Sequence, residues 1–203
     1  MNRSLTLRAL GLASWIVLLL PPPAAASGTP AVADSAVHVE RTANGGFAVD
    51  LVMHAHVPPA LAWAVLTDFE HMASFVPNLA RSQVLSSQGN LLQVSQKGTA
   101  RYGPFSTEFE SIRDIQLTPK REIRAHGTGG SVKQMESLMQ VEASDEGTRL
   151  HYHAEVLPGF WFPPWIGTAL VRHETAEQFS AIISEMQRRQ SAIAPAGAAR
   201  SAP

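Results

Sequence analysis

The chain has 203 residues, 45% of them hydrophobic and only 16% charged, with 16 Lys+Arg against 17 Asp+Glu and no cysteine. A near-neutral balance without a long basic run excludes recognition of nucleic acid through clustered phosphate contacts and disfavours adhesion to anionic lipid. The missing thiol excludes disulfides, thiolate catalysis, Cys-based zinc sites and a lipoprotein anchor.

At the N-terminus, Arg3 and Arg8 flank the start of an apolar run over residues 9–20. Pro21, Pro22 and Pro23 break it, and Ala24, Ala25 and Ala26 supply small residues for cleavage, so residues 1–26 read as a signal peptide. The apolar run is too short to span a hydrocarbon core of ~30 Å. Its removal leaves a single-domain mature part of about 177 residues with a charge of about −3. A periplasmic or secreted location is expected. Residues 27–34 read as a linker, 35–190 as the domain, and 191–203, rich in Ala, Pro, Gly and Ser, as a disordered tail.

Residues 37–42 and 47–57 alternate around Asn44, Gly45 and Gly46, the pattern of a β-hairpin. Phe47, Val49, Leu51, Met53 and Ala55 share one face of the second run. Pro58 and Pro59 open a helix carrying Leu61, Trp63, Val65 and Leu66, with Trp63 expected in the core. Asp68 is placed to cap a second short helix through Phe75. Strand-like runs follow over 80–86, 91–102, 105–117, 121–126, 132–143 and 148–157, with turn signals between them, one of which covers Gly127 to Gly130. Short links predict an antiparallel meander.

Pro163 and Pro164 open the last element, a helix over 165–190. One side carries Trp165, Thr168, Thr175, Ala176, Phe179, Ile182, Ile183 and Met186; the other carries Glu174, Glu177, Gln178, Glu185 and Arg188. The expected class is α+β, a curled antiparallel sheet gripping a long C-terminal helix, with two short helices after the first long strand. Small or polar inward positions (Gln96, Gly98, Ala100, Thr107, Ser111, Ala125, Ser137) among apolar ones (Val94, Phe105, Phe109, Met135, Met139, Val141) fit either a ligand pocket or a packed core.

Ala64-Val65-Leu66-Thr67-Asp68-Phe69-Glu70, then Phe75-Val76-Pro77-Asn78, resembles the START-like (SRPBCC) superfamily of polyketide cyclases and coenzyme Q-binding proteins. Glu146-Gly147-Thr148-Arg149-Leu150-His151-Tyr152 resembles its penultimate motif. Phe162-Pro163-Pro164-Trp165-Ile166-Gly167 resembles the lead into its last helix, and Glu185 with Arg188 and Arg189 that helix's end. The resemblance implies a helix-grip fold with an apolar cavity under the last helix, and ligands among lipids, quinones and polyketides. Met139 replaces a frequent Trp and Ser137 a usual Gly, departures that bear on cavity shape.

Two histidine pairs, His54/His56 and His151/His153, fall on the polar faces of their strands, beside Asp50 and Glu155. A solvated outer ribbon is expected there rather than a metal site. Arg172 interrupts the apolar stripe of the last helix, and a cation there must be paired or must face a cavity. It meets a ligand oxygen, pairs with a strand carboxylate, or sends its stem out to the rim. Trp161, Phe162 and Trp165 read as an aromatic plug. The ligand-binding set is Arg172, Trp165, Phe179, Phe109, Gln96, Met135 and Met139. No catalytic constellation, metal site or cofactor motif stands out. The expected function is an exported carrier for a hydrophobic small molecule, with transient membrane contact allowed. The alternatives are a cyclase- or hydratase-type enzyme on the same fold and an interaction module with its cavity packed shut.

Overall fold

The computed structural model describes residues 31–159 and 166–193. Eight strands form one antiparallel sheet: β1 (His38–Arg41), β2 (Phe47–Ala55), β3 (Leu79–Gln88), β4 (Leu91–Tyr102), β5 (Phe105–Thr118), β6 (Glu122–Gly130), β7 (Val132–Ser144) and β8 (Gly147–Pro158). Their order is β1-β2-β8-β7-β6-β5-β4-β3, so β2 and β8 join the N-terminal hairpin to the meander. Helix α1 (Pro59–Leu66) and a 3-10 helix (Phe69–Ser74) connect β2 to β3, and α2 (Gly167–Ile193) follows β8. The expected α+β helix-grip class is the observed one.

Alternation sets the inner face. Phe47, Val49, Leu51, Met53 and Ala55 of β2 are all buried and lie opposite Val156, Ala154, Tyr152, Leu150 and Thr148 of β8. A one-residue slip would turn this whole row to solvent, so the register is strongly specified. The apolar stripe of α2 buries Leu170, Ala176, Phe179, Ile182, Ile183 and Met186. The α2 backbone comes close to β1 and β2 on one flank, to β4 on the other, and to α1.

Several local expectations are corrected. The segment Gly127 to Gly130 is strand rather than turn: β6 continues through it, with a register shift against β5 between Ile112 and Arg113. Gly130 has φ +99°, and an added Cβ would lie 2.2 Å from the Glu110 carbonyl oxygen, so only glycine fits there. Gly98 makes no empty space, because a Cβ there would meet the Asn78 carbonyl oxygen at 2.0 Å. The linker includes structure: buried Val32 bonds through its N–H to Ser180 Oγ at 2.9 Å. The last helix runs through Ile193, three residues into the expected tail. Trp63 packs partly buried against the core, as expected of it.

The polar side of α2 is also not what the helical wheel implies. Glu185 is buried, with 8% of its surface exposed. Arg188 donates to it at 2.6 and 2.8 Å and Arg189 at 2.7 Å, while Arg189 Nη2 also donates to Asp68 at 2.7 Å. Asp68 therefore does not cap the 3-10 helix, whose first turn has no side-chain cap; it ties that helix to the end of α2 and pairs with His71 at 2.6 Å. Glu174 joins the chain farther up α2, accepting from Asn78 Nδ2 at 2.6 Å and from the Arg101 backbone N–H.

The Arg188 bonds, and then those of Arg189, outweigh burial and hold the Glu185 carboxyl down at about 2, against an ordinary value of 4.5. A depressed carboxyl contributes stability that is complete above pH 4.5 and is lost as pH falls towards about 2. Glu185→Gln is expected to cost about 1–3 kcal/mol at neutral pH, and to flatten that acid limb of a stability-versus-pH curve measured by denaturant melts.

Candidate functional site

The inner face is not uniformly apolar. Strand register brings six polar side chains of β3, β4, β5, β7 and β8 into it: Ser82 opposite Gln96, Gln96 opposite Ser111, then Arg113, Ser137 and Tyr152 in the same inward parity. Gln96 is 4% exposed. Its amide nitrogen donates to Ser82 Oγ at 3.0 Å and reaches Met72 Sδ at 3.4 Å, and its carbonyl accepts from Arg113 Nη2. Gln96 therefore ties Arg113 to Ser82 and Met72 on the inner face.

Arg113 is the residue that sequence reasoning missed. It lies opposite Val94, between the inward rungs of Ser111 and Ile115. The signal was present: Phe105, Thr107, Phe109 and Ser111 were already assigned inward, and Arg113 has the same parity. Burial pushes its guanidinium down from the ordinary value, opposed by Tyr152. Burial pushes the Tyr152 phenol up, opposed by Arg113 and by the Ser137 hydroxyl. At neutral pH the phenol is therefore protonated and can donate. Both side chains are half-buried on the inner face.

The other expected site residues distribute around this pair. Phe179 of α2 stacks on Tyr152 with ring centroids 4.7 Å apart. Met139 is buried directly across from Tyr152, and Phe109 is half-buried opposite Gly98. Met135 stands at a seam: β6 and β7 pair only as far as His126 and Glu136, and beyond that rung β7 keeps only β8. A groove of about 460 Å³ at this seam reaches both inward Met135 and Val156 and outward His126 and Glu155. Trp165, with Trp161 and Phe162, lies outside the described residues.

Arg172 sits seven residues before Phe179, two turns along the same face of α2. Its Nε is buried without a hydrogen-bond partner among the described residues. No strand carboxylate pairs with it, which removes the protein partner that sequence reasoning kept open. Immediately after it, His173 meets Asp34 at 3.2 Å and the Tyr102 ring edge-on at 5.6 Å, and Glu174 holds the start of the meander. Because no carboxylate among the described residues pairs with it, Arg172→Met should leave the ligand-free protein as stable or more so in thermal melts. A loss of about 3 kcal/mol would reveal a hidden carboxylate partner.

The histidine ribbon is where the alternation put it. His54 and His56 are exposed, and His151 and His153 are half-exposed on the outer face, with His153 Nδ1 2.8 Å and His151 Nε2 3.9 Å from Asp50 Oδ1. Surface pairs of this kind contribute little. Replacing all four histidines by Gln should shift stability by less than about 1 kcal/mol and leave ligand binding unchanged; a large loss restored by zinc would contradict this.

A curled antiparallel sheet holding one long helix over an apolar interior with a few polar points defines a START-like ligand-binding fold. The family described as polyketide cyclase / dehydrase and lipid transport matches residues 55–181, and the chain belongs to it. Comparison with curated proteins gave no match. Among solved structures, the Zhui aromatase/cyclase from a Streptomyces species aligns with TM-score 0.61 at 16% identity, over 75% of this chain and 96% of that one. A START superfamily protein from Mycobacterium smegmatis aligns with TM-score 0.61 at 12% identity, over 71% and 99%. A STAR-related lipid transfer protein from Xanthomonas axonopodis aligns with TM-score 0.59 at 11% identity, over 75% and 99%. At such identities the likeness carries the fold alone.

Proposed function

We propose that this chain is an exported carrier that holds an apolar small molecule between its sheet and α2. The observation that carries the reading is the half-buried pair Arg113 and Tyr152 on the inner face, with Met139 across from Tyr152 and Phe179 stacked on it. An apolar interior with a few placed polar groups binds and orients a ligand. The polar groups that reach this interior among the described residues are hydroxyls, an amide and two guanidiniums. None is a carboxylate or imidazole of the kind that takes a proton near neutral pH. Family members among the neighbours include a lipid transfer protein, which agrees with carriage. Export is supported by the charged, apolar and Ala-rich N-terminal segment.

One observation favours an enzyme of the cyclase type as the second reading. A guanidinium and a protonated phenol on one inner face can together stabilise a developing enolate oxygen. Native mass spectrometry of protein recovered from its own cell envelope tests both readings. Carriage predicts a chain beginning near Ser27 with one unchanged small molecule bound. A full-length chain confined to the cytoplasm would overturn export, and conversion of a bound poly-ketone to a cyclised product would overturn carriage in favour of catalysis.

A further inference from the structure

The carrier reading leaves the chemistry of the cargo open, and the charges of the interior narrow it. All 17 Asp and Glu residues fall within the described residues, so every side-chain carboxylate of the chain can be accounted for. The ion pairs of Lys and Arg among them are Lys97–Glu110, Arg124–Glu122, Arg188–Glu185, Arg189–Glu185 and Arg189–Asp68. None involves Arg113 or Arg172. Both of these guanidiniums have a buried Nε with no hydrogen-bond partner among the described residues. Arg113 donates to the neutral carbonyl of Gln96, itself fixed by Ser82 and Met72.

A buried cation without a counter-charge is strongly unfavourable, and proteins retain one where something else supplies the anion. Arg113 is prepared for this role. Gln96 occupies one N–H and sets the plane of the fork, which leaves the Nε–H free. A guanidinium fork matches the two oxygens of a carboxylate or phosphate. The Tyr152 phenol adds a neutral donor beside it, and Phe179, stacked on Tyr152, gives an apolar surface next to the polar point. Resting on the carrier reading, we infer that the carried molecule is an amphiphilic acid whose carboxylate or phosphate sits on Arg113, with its apolar body under α2.

The test is isothermal titration of the mature chain with matched probes: tetradecanoate, tetradecyl phosphate and the uncharged tetradecanol, with naphthoate and its neutral methoxy analogue as the aromatic pair. An acid of either series should bind at least about tenfold more tightly than its neutral match, the loss expected when a charged hydrogen bond is missing. The tighter of tetradecanoate and tetradecyl phosphate identifies the head group. In Arg113→Met the preference should fall to parity, with far-UV circular dichroism reporting an intact fold. Arg113→Lys, which keeps the charge without the fork, should fall between. Equal or tighter binding of the neutral probes by the unaltered protein overturns the inference but not carriage, as does a preference that survives Arg113→Met. Failure of all the probes, charged and neutral, to bind overturns carriage and the inference with it.

Discussion

An eight-stranded antiparallel sheet has a large inner face, and this chain has one long helix to cover it. A helix of 27 residues is roughly 40 Å long but only about 10 Å wide. It cannot lie flat on eight strands that are each about 4.8 Å apart. The sheet therefore curls until its two flanks reach the helix, with β1 and β2 on one side and β4 on the other. Helix α1 and the 3-10 helix close one end. Over the middle strands the space must be filled by side chains or by something the protein binds.

That constraint explains where the strongest polar contacts are. The apolar stripe of α2 is buried along its length, and polar contacts hold its two ends. Arg189, Glu185 and Asp68 fasten the C-terminal part of α2 to the segment before β3, with the Arg189 guanidinium also 5.8 Å from the Phe75 ring centroid. Glu174 and His173 fasten the N-terminal part to the β3–β4 region and to the first residues of the domain. Among the inward residues Arg113, Tyr152, Met135, Phe109 and Arg172 are only half-buried.

The charge distribution follows from the same geometry. Carboxylates were spent at the rim, where they clamp α2 or pair across the outer face. The interior kept two guanidiniums and several neutral donors. Such a distribution supports the proposed carriage, because a guanidinium holds an anion and does not abstract a proton. The shared architecture of a lipid transfer protein and an aromatase/cyclase shows how little the fold itself decides.

The hydrophobic patterns determined the architecture. Period-two alternation located every strand within a few residues, and the apolar stripe of α2 located the grip helix, because both patterns are local consequences of which face is buried. The same alternation set the four histidines outward and would have set Arg113 inward had its parity been followed. What a helical wheel cannot contain is the identity of a partner distant in sequence. Glu174 and Glu185 look solvated on the wheel but are claimed by Asn78, Arg101, Arg188 and Arg189, and Asp68 looks like a cap but meets Arg189, 121 residues away. Gly98 looks like room in a cavity but is the point where Asn78 crosses. Burial is written in the sequence as a periodicity; pairing and close approach depend on where the curled sheet brings distant segments, and only the tertiary structure decides that.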